Sequence, residues 1–193
     1  MTSSRYTDEG LAQAGRVSTR RAYEGRVISL DVDTVRFPDG TTGELEMVRH
    51  PGASAIVPFV SDPAGPDPQL LLIRQYRYAA LEVLYEIPAG RLDPGEQPLE
   101  CAVRELREET GCTAGRLEFL HTMWTTPGFT DEKIHLFMAT ELERGESKQE
   151  ADEFIDVEVV PLGGALEMIR DGRIKDAKTA LGILYAAGFR AGV

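Results

Sequence analysis

The sequence predicts an α+β fold, an α/β/α sandwich around a mixed β-sheet, preceded by a small antiparallel β-sheet segment. Three observations predict it. Apolar and polar residues alternate over residues 26–36 and again over Thr42–Arg49, on either side of the turn signal Pro38-Asp39-Gly40, the pattern of a β-hairpin. More continuously apolar runs at residues 53–60 and 70–76 have the length of buried strands. Helical periodicity is confined to residues 98–111 and two segments near the end, with further strand-like runs between them.

Taken in order, residues 1–18 lack periodicity and read as a loose arm, and the hairpin follows. His50-Pro51-Gly52 punctuates the chain, and residues 53–60 open the main body. The stretch SDPAGPDPQ at 61–69 is a loop leading to the strand at 70–76, and a short strand at 84–87 ends on Pro88-Ala89-Gly90. In the helix at 98–111, Leu99, Val103 and Leu106 share a face that is expected to meet the core, and Gly111 supplies the stop. Strands are expected at 117–124, 134–140 and 154–160, and helices at 162–170 and 177–188. The organisation predicted is an N-terminal arm and hairpin over 1–50, suited to dimerisation, and a main domain over 51–193.

Composition excludes several classes. With 193 residues, 42% hydrophobic and 27% charged, the chain can fill a core and is neither a disordered tail nor a fibrous repeat. A net charge of −11 disfavours general nucleic-acid binding, which needs clustered Lys and Arg. No apolar run approaches the roughly 18 residues of a membrane span. The opening MTSSRYTDEG has no basic segment followed by an apolar one, so a cytoplasmic location is expected. Cys101 and Cys112 fall along one predicted helix about 16 Å apart, which makes them separate thiols. The three histidines make no zinc pattern.

Chemistry concentrates in Gly90-Arg-Leu-Asp-Pro-Gly-Glu96 and Arg104-Glu105-Leu106-Arg107-Glu108-Glu109-Thr110-Gly111. At about 100° per residue, Glu105, Glu108 and Glu109 lie within an arc of about 100° on one helix, and the Leu99, Val103, Leu106 stripe lies about 120° away. Like charges at i, i+3 and i+4 repel, so something must offset them. A solvated acidic face is one reading. The other is a site for a hard divalent cation, which takes clustered carboxylates together with waters and substrate phosphates.

The spacing of Gly90, Glu96, Arg104, Glu105, Leu106, Glu108, Glu109 and Gly111 resembles the Nudix box at each fixed position, with Cys112 in place of the usual terminal aliphatic residue. The chain further resembles the ADP-ribose pyrophosphatase branch of Nudix hydrolases in Gln75-Tyr76-Arg77, in Tyr85 to Gly90, in Pro127-Gly128-Phe129, in Ala151 to Ile155 and in Asp176-Ala177-Lys178-Thr179. The resemblance implies a Nudix-type sandwich and Mg²⁺-dependent hydrolysis of ADP-ribose to AMP and ribose 5-phosphate, with Mn²⁺ as a substitute. It implies Glu105, Glu109, Glu153 and the Ala89 carbonyl as metal ligands, with Glu108 a third box ligand or acting through water. Glu96 either fixes its loop or assists a metal-bound water, and Glu153 completes the metal site or orients the attacking water. Arg104 pairs with the box carboxylates. Arg77 is assigned to a diphosphate oxygen, Glu86 to a ribose hydroxyl or a structural role, and Phe129 to the pocket or the core. Arg49 and His50 are assigned to the nucleotide or to the strand end. A homodimer is implied, with a small-molecule nucleotide-sugar as substrate. Two alternatives remain: hydrolysis of another nucleoside diphosphate-sugar or a damaged nucleotide, and a non-catalytic sensor, which would need a basic DNA-binding appendage.

Overall fold

The computed structural model describes residues 7–145 and 154–189. The elements run α1 (Asp8–Gln13), β1 (Gly15–Glu24), β2 (Ser29–Arg36), β3 (Thr42–Arg49), β4 (Ala53–Pro58), β5 (Gln69–Arg77), β6 (Glu82–Glu86) and β7 (Ala89–Arg91). They continue with α2 (Pro98–Thr110), β8 (Cys112–Trp124), β9 (Lys133–Arg144), β10 (Ile155–Pro161), α3 (Leu162–Arg170) and α4 (Ala177–Phe189). The chain divides into two compact units, one formed by the segment up to Pro51 with Trp124–Glu132, the other by Gly52–Met123 and the chain from Lys133 onward. The segment between β8 and β9 thus groups with the N-terminal part.

The smaller unit is an antiparallel sheet in the order β1-β2-β3. Its hairpin closes at Arg36↔Thr42, where Asp39 Oδ1 accepts the Thr41 N–H at 2.9 Å and Gly40 takes φ 84°. The expected loose arm is instead ordered from Asp8 as a short helix and the ten-residue strand β1. All ten β1 residues are exposed, so no buried face imposes an alternation that periodicity could detect. The pairing with β2 supplies the order.

The larger unit has a four-stranded sheet in the order β7-β4-β9-β8, with β4 parallel to β9 and antiparallel to β7, and an antiparallel sheet β10-β5-β6. Both faces of the central strands are covered. Ala55, Val57, Leu70, Leu72, Leu136 and Met138 pack with Leu162, Ala165, Met168, Ile183 and Ala186 of α3 and α4. Ile56, Leu71, Phe137 and Ala139 pack with Ala102 and Leu106 of α2. Successive strand residues serve opposite helical layers, which is the predicted sandwich. Gly182 lets α4 approach closely, since a Cβ there would lie 3.1 Å from both Ile87 and Val57 side chains. Among the described residues no helix is long and apolar enough to cross a membrane.

The orientation of α2 departs from expectation. Leu99 and Val103 are 49% and 47% exposed, whereas Cys101, Ala102, Glu105, Leu106 and Glu109 are buried. The apolar stripe that looked like the core face lies outward except at Leu106, and the helix turns its small residues and two of its acids inward.

Candidate active site

The acidic turn of α2 faces β7 and the loop that follows it. The helix is placed by its caps. Gln97 and Glu100 form a reciprocal capping box, Pro98 occupies the first turn, and Gly111 ends the helix in the left-handed region at φ 70°. At the strand side, the Ile56 N–H donates to the Pro88 carbonyl at 2.9 Å, and Ala55 pairs with Ala89. The Ala89 N–H in turn donates to Glu109 Oε2 at 2.9 Å, which fixes the box helix against β7.

Gly90 shows why its position tolerates no side chain. A Cβ there would fall 1.8 Å from Glu105 Oε1 and 2.0 Å from its Cδ. The Glu105 carboxylate occupies the space that any other residue would fill. Glu105 and Glu109 are 7% and 2% exposed, unusual burial for carboxylates, which are costly to desolvate without partners.

Arg104 supplies the offsetting charge. Its Nε and Nη2 donate to the two oxygens of Glu96 at 2.8 and 2.9 Å, Nη1 donates to Glu105 at 2.6 Å and Glu108 at 3.1 Å, and Nη2 also reaches the Arg91 carbonyl at 3.0 Å. This one guanidinium clamps three acids and the loop, a task its planar fork suits. The hydrogen bonds from Arg104 hold the Glu96 carboxyl down at about 2 despite burial, aided by the Asp93 N–H. Burial, together with Glu105 and Glu96, pushes the Cys101 thiol up to about 11, so it stays protonated and donates toward the Gly90 carbonyl. Both cysteines are free and buried, and Cys112 opens β8 rather than ending the helix.

Against one arginine stand Glu96, Glu105, Glu108 and Glu109, a local excess of three negative charges. The donor set is hard oxygen, held in a cradle that a Cβ would fill, and that suits a hard divalent cation. Among the described residues no three such groups are gathered as a ready metal site, and Arg104 and the Ala89 N–H hydrogen-bond to the box carboxylates. Glu153, expected to complete the metal site or orient the attacking water, lies outside the described residues.

A second cluster adjoins the first. Glu86, at the end of β6 and 1% exposed, accepts a bidentate pair from Arg77 Nε and Nη2 at 2.7 and 2.9 Å and a further hydrogen bond from Lys178. The hydrogen bonds to Glu86 raise the Arg77 pKa further, with the charges of Glu109 and Asp176 contributing. Burial alone would raise the Glu86 carboxyl, yet its two cations hold it below the ordinary value. Arg77, Glu86, Ala89, Glu96, Glu105, Glu108 and Glu109 therefore all belong to the larger unit.

Arg49, His50 and Phe129 fall in the smaller unit. Arg49 Nε donates to Asp31 at 3.0 Å and Nη1 to Asp131 at 3.1 Å, and Nη2 pairs with Asp33. Every nitrogen of the guanidinium is engaged, so the residue proposed for substrate serves as a clamp between β2, β3 and the Trp124–Glu132 segment. Burial opposes its charge, but the three aspartates prevail and its pKa is raised. The His50 N–H donates to Asp131 Oδ1 at 2.9 Å, and its Nδ1 lies 3.4 Å from Glu132. The Phe129 carbonyl accepts the Val48 N–H at 2.8 Å while its ring is exposed, so it is not the core residue of the alternative reading.

Sequence reasoning gave no role to Lys178, Asp176 and Thr179. The signal was present: Asp-x-x-Thr before an apolar run is an N-terminal cap, and a lysine inside that first turn, against the helix dipole, calls for a nearby acid.

The comparisons agree with this geometry. Residues 49–180 match the NUDIX domain family. Over 171 residues the chain is 40% identical to an ADP-ribose pyrophosphatase of Bacillus subtilis, covering 88% of this chain and 90% of that one. Over 177 residues it is 39% identical to a methanol dehydrogenase activator of Bacillus methanolicus, covering 91% and 93%. The fold resembles that of a solved ADP compounds hydrolase with a TM-score of 0.80 at 22% identity, covering 98% of each chain. A box helix whose acids face a glycine cradle, in a chain matched along most of its length by these relatives, places this protein in the Nudix family.

Proposed function

We propose that this chain hydrolyses the diphosphate of ADP-ribose, releasing AMP and ribose 5-phosphate, with Mg²⁺ as its cation and Mn²⁺ as a substitute. The observation that carries the reading is the buried Glu105–Glu109 pair seated in the Gly90 cradle beside the Arg77–Glu86 cluster, in a chain 40% identical to an ADP-ribose pyrophosphatase.

Glu105, Glu109 and the Ala89 carbonyl, with Glu153, would hold the cation, and the cation when bound would neutralise phosphate charge and lower the pKa of a water. Arg77 commits Nε and Nη2 to Glu86 and keeps Nη1 for a diphosphate oxygen. Glu108, half-buried beside Glu105, is assigned to a water at the site. Both Glu96 oxygens are engaged, by Arg104 and by the Asp93 N–H, which favours the loop-fixing role. The small-sheet unit carries exposed Val17, Tyr23, Ile28 and Leu45, which supports cover by a second copy, with the hairpin end at Arg49 and His50 beside the partner's pocket. Two buried free thiols accord with a cytoplasmic location.

The test is a substrate panel of ADP-ribose, other nucleoside diphosphate-sugars and damaged nucleotides, with products resolved and each assay repeated in excess chelator. ADP-ribose is expected to give the highest kcat/KM, with turnover lost in chelator. A preference for GDP-mannose or another nucleoside diphosphate-sugar would replace the substrate assignment, and full turnover in chelator would overturn the mechanism.

A further inference from the structure

The first turn of α4 holds a knot of polar side chains that the mechanism above does not use. Asp176 caps the helix: its Oδ2 accepts the Thr179 N–H at 2.9 Å and the Thr179 hydroxyl at 2.6 Å. The Thr179 hydroxyl, fully buried, also accepts the Ile87 N–H at 2.9 Å. Lys178 donates to Asp176 Oδ2 at 2.9 Å and to Glu86 Oε2. Two side chains from one helical turn, Lys178 and Thr179, thus reach the end of β6, 92 residues away in sequence, and engage two successive residues there, Glu86 and Ile87.

The chemistry of Glu86 explains why the lysine is needed. A carboxylate with almost no exposure stays ionised only with charged partners, and desolvation costs it several kcal/mol otherwise. Arg77 is one partner, but its side chain is 40% exposed and in the proposed reaction it also faces a diphosphate. Lys178 is the enclosed one. With Oε2 pinned by the ammonium, the carboxylate plane is fixed, and a fixed carboxylate fixes the guanidinium that lies bidentate upon it.

We infer that Lys178 is a positioning residue for the reaction: it anchors the buried Glu86 carboxylate, and Glu86 aims the Nη1 edge of Arg77 at the substrate diphosphate. The inference rests on the assignment of Arg77 to the diphosphate. Both partners that Lys178 holds are carboxylates of its own chain, so its proposed effect runs through Glu86.

The test is a kinetic cycle on the full chain with ADP-ribose and Mg²⁺, using wild type, Lys178→Met, Arg77→Ala and the double variant. Lys178→Met is expected to raise KM about tenfold and to leave kcat within about threefold, because the lost interaction acts on binding before and during the reaction alike. In the Arg77→Ala background the same change should move KM less than about twofold, since the two residues act in series. Lys178→Arg should recover most of the KM. A lysine that merely stabilised α4 would affect KM equally in both backgrounds, and equal factors overturn the inference, as does an unchanged KM in Lys178→Met. Should Lys178→Met fail to fold, Glu86→Gln/Lys178→Met removes both charges together. It is expected to match the KM of Glu86→Gln alone, and a further rise overturns the inference. Failure of the underlying reading is separately visible: Arg77→Ala with an unchanged KM removes the diphosphate assignment and this inference with it.

Discussion

Gly90→Ala isolates the fit between the box helix and β7. The Gly90 backbone lies outside the left-handed region, so alanine meets no conformational penalty there and the perturbation is purely one of space. The added methyl would sit 1.8 Å from Glu105 Oε1, 2.0 Å from Cδ and 2.5 Å from Oε2. An ordinary contact begins at 3.4 Å, so Oε1 must retreat by about 1.6 Å. The carboxylate cannot swing freely, because Arg104 Nη1 holds Oε1 at 2.6 Å and the side chain is enclosed. Overpacking of this kind costs about 1–3 kcal/mol, and a misplacement of about 1 Å in a catalytic array costs about 10²-fold in rate. Gly90→Ala is therefore expected to lower kcat at saturating Mg²⁺ by about 10²-fold or more and to lower stability in urea by about 1–3 kcal/mol. The control is Gly90→Ala/Glu105→Ala. With the carboxylate gone the methyl has room, so the added alanine should cost little stability relative to Glu105→Ala alone. Wild-type kcat and Mg²⁺ dependence in Gly90→Ala would refute the reasoning, as would full additivity of the two stability losses.

Glu109→Gln should lower kcat by at least about 10²-fold while keeping the fold, since the amide oxygen can still accept the Ala89 N–H; steady-state kinetics with a thermal melt checks both halves. Arg104→Ala should lower stability in chelator by about 3 kcal/mol, the cost of leaving buried acids uncompensated, and added Mg²⁺ should narrow the gap to wild type in the same urea titration. Glu96 should show in the acid limb. Its carboxyl is held at about 2 in the folded chain against an ordinary 4.5, so its contribution is complete above about 4.5 and fades as pH falls toward 2. Glu96→Gln is expected to flatten the loss of stability between those pH values, and an acid limb unchanged by the substitution would contradict it.

The strands and helices of the larger unit were legible because most of them bury one face or both. The strand at 53–58 reads as a continuous apolar run since its alternate side chains serve the α2 layer and the α3–α4 layer, and the helix over Leu162–Arg170 announces itself by its buried Leu162, Ala165 and Met168. The strand β1 was hidden for the opposite reason. All ten of its residues are exposed, so only its pairing with β2 shows it. The three-residue β7 is likewise too short for any period to register.

The box helix shows where a pattern argument inverts. Hydrophobicity alone puts Leu99, Val103 and Leu106 inside and the acids outside, and two of those three apolar side chains in fact face outward. The residues that turn inward are the small Cys101 and Ala102, which let the helix lie close to β4 and β7, and Glu105 and Glu109, which occupy the space this closeness leaves. The burial of Glu109 is sustained by the Ala89 N–H, twenty residues away, and that of Glu105 by the adjacent Arg104, whose other nitrogens are anchored at Glu96 and Arg91. A scale that scores residues one at a time cannot see a carboxylate whose partners come from another element. What the sequence could show was the fixed spacing of Gly90, Glu96, Arg104, Glu105, Glu108 and Glu109, and each of these is explained by a contact: the missing Cβ at Gly90, the fork of Arg104, the three acids it gathers and the N–H that Glu109 accepts. The same reasoning explains why Lys178 went unread. Its meaning depends on Glu86, whose own meaning depends on Arg77, and this chain of three residues becomes visible only when α4, β6 and β5 are brought together.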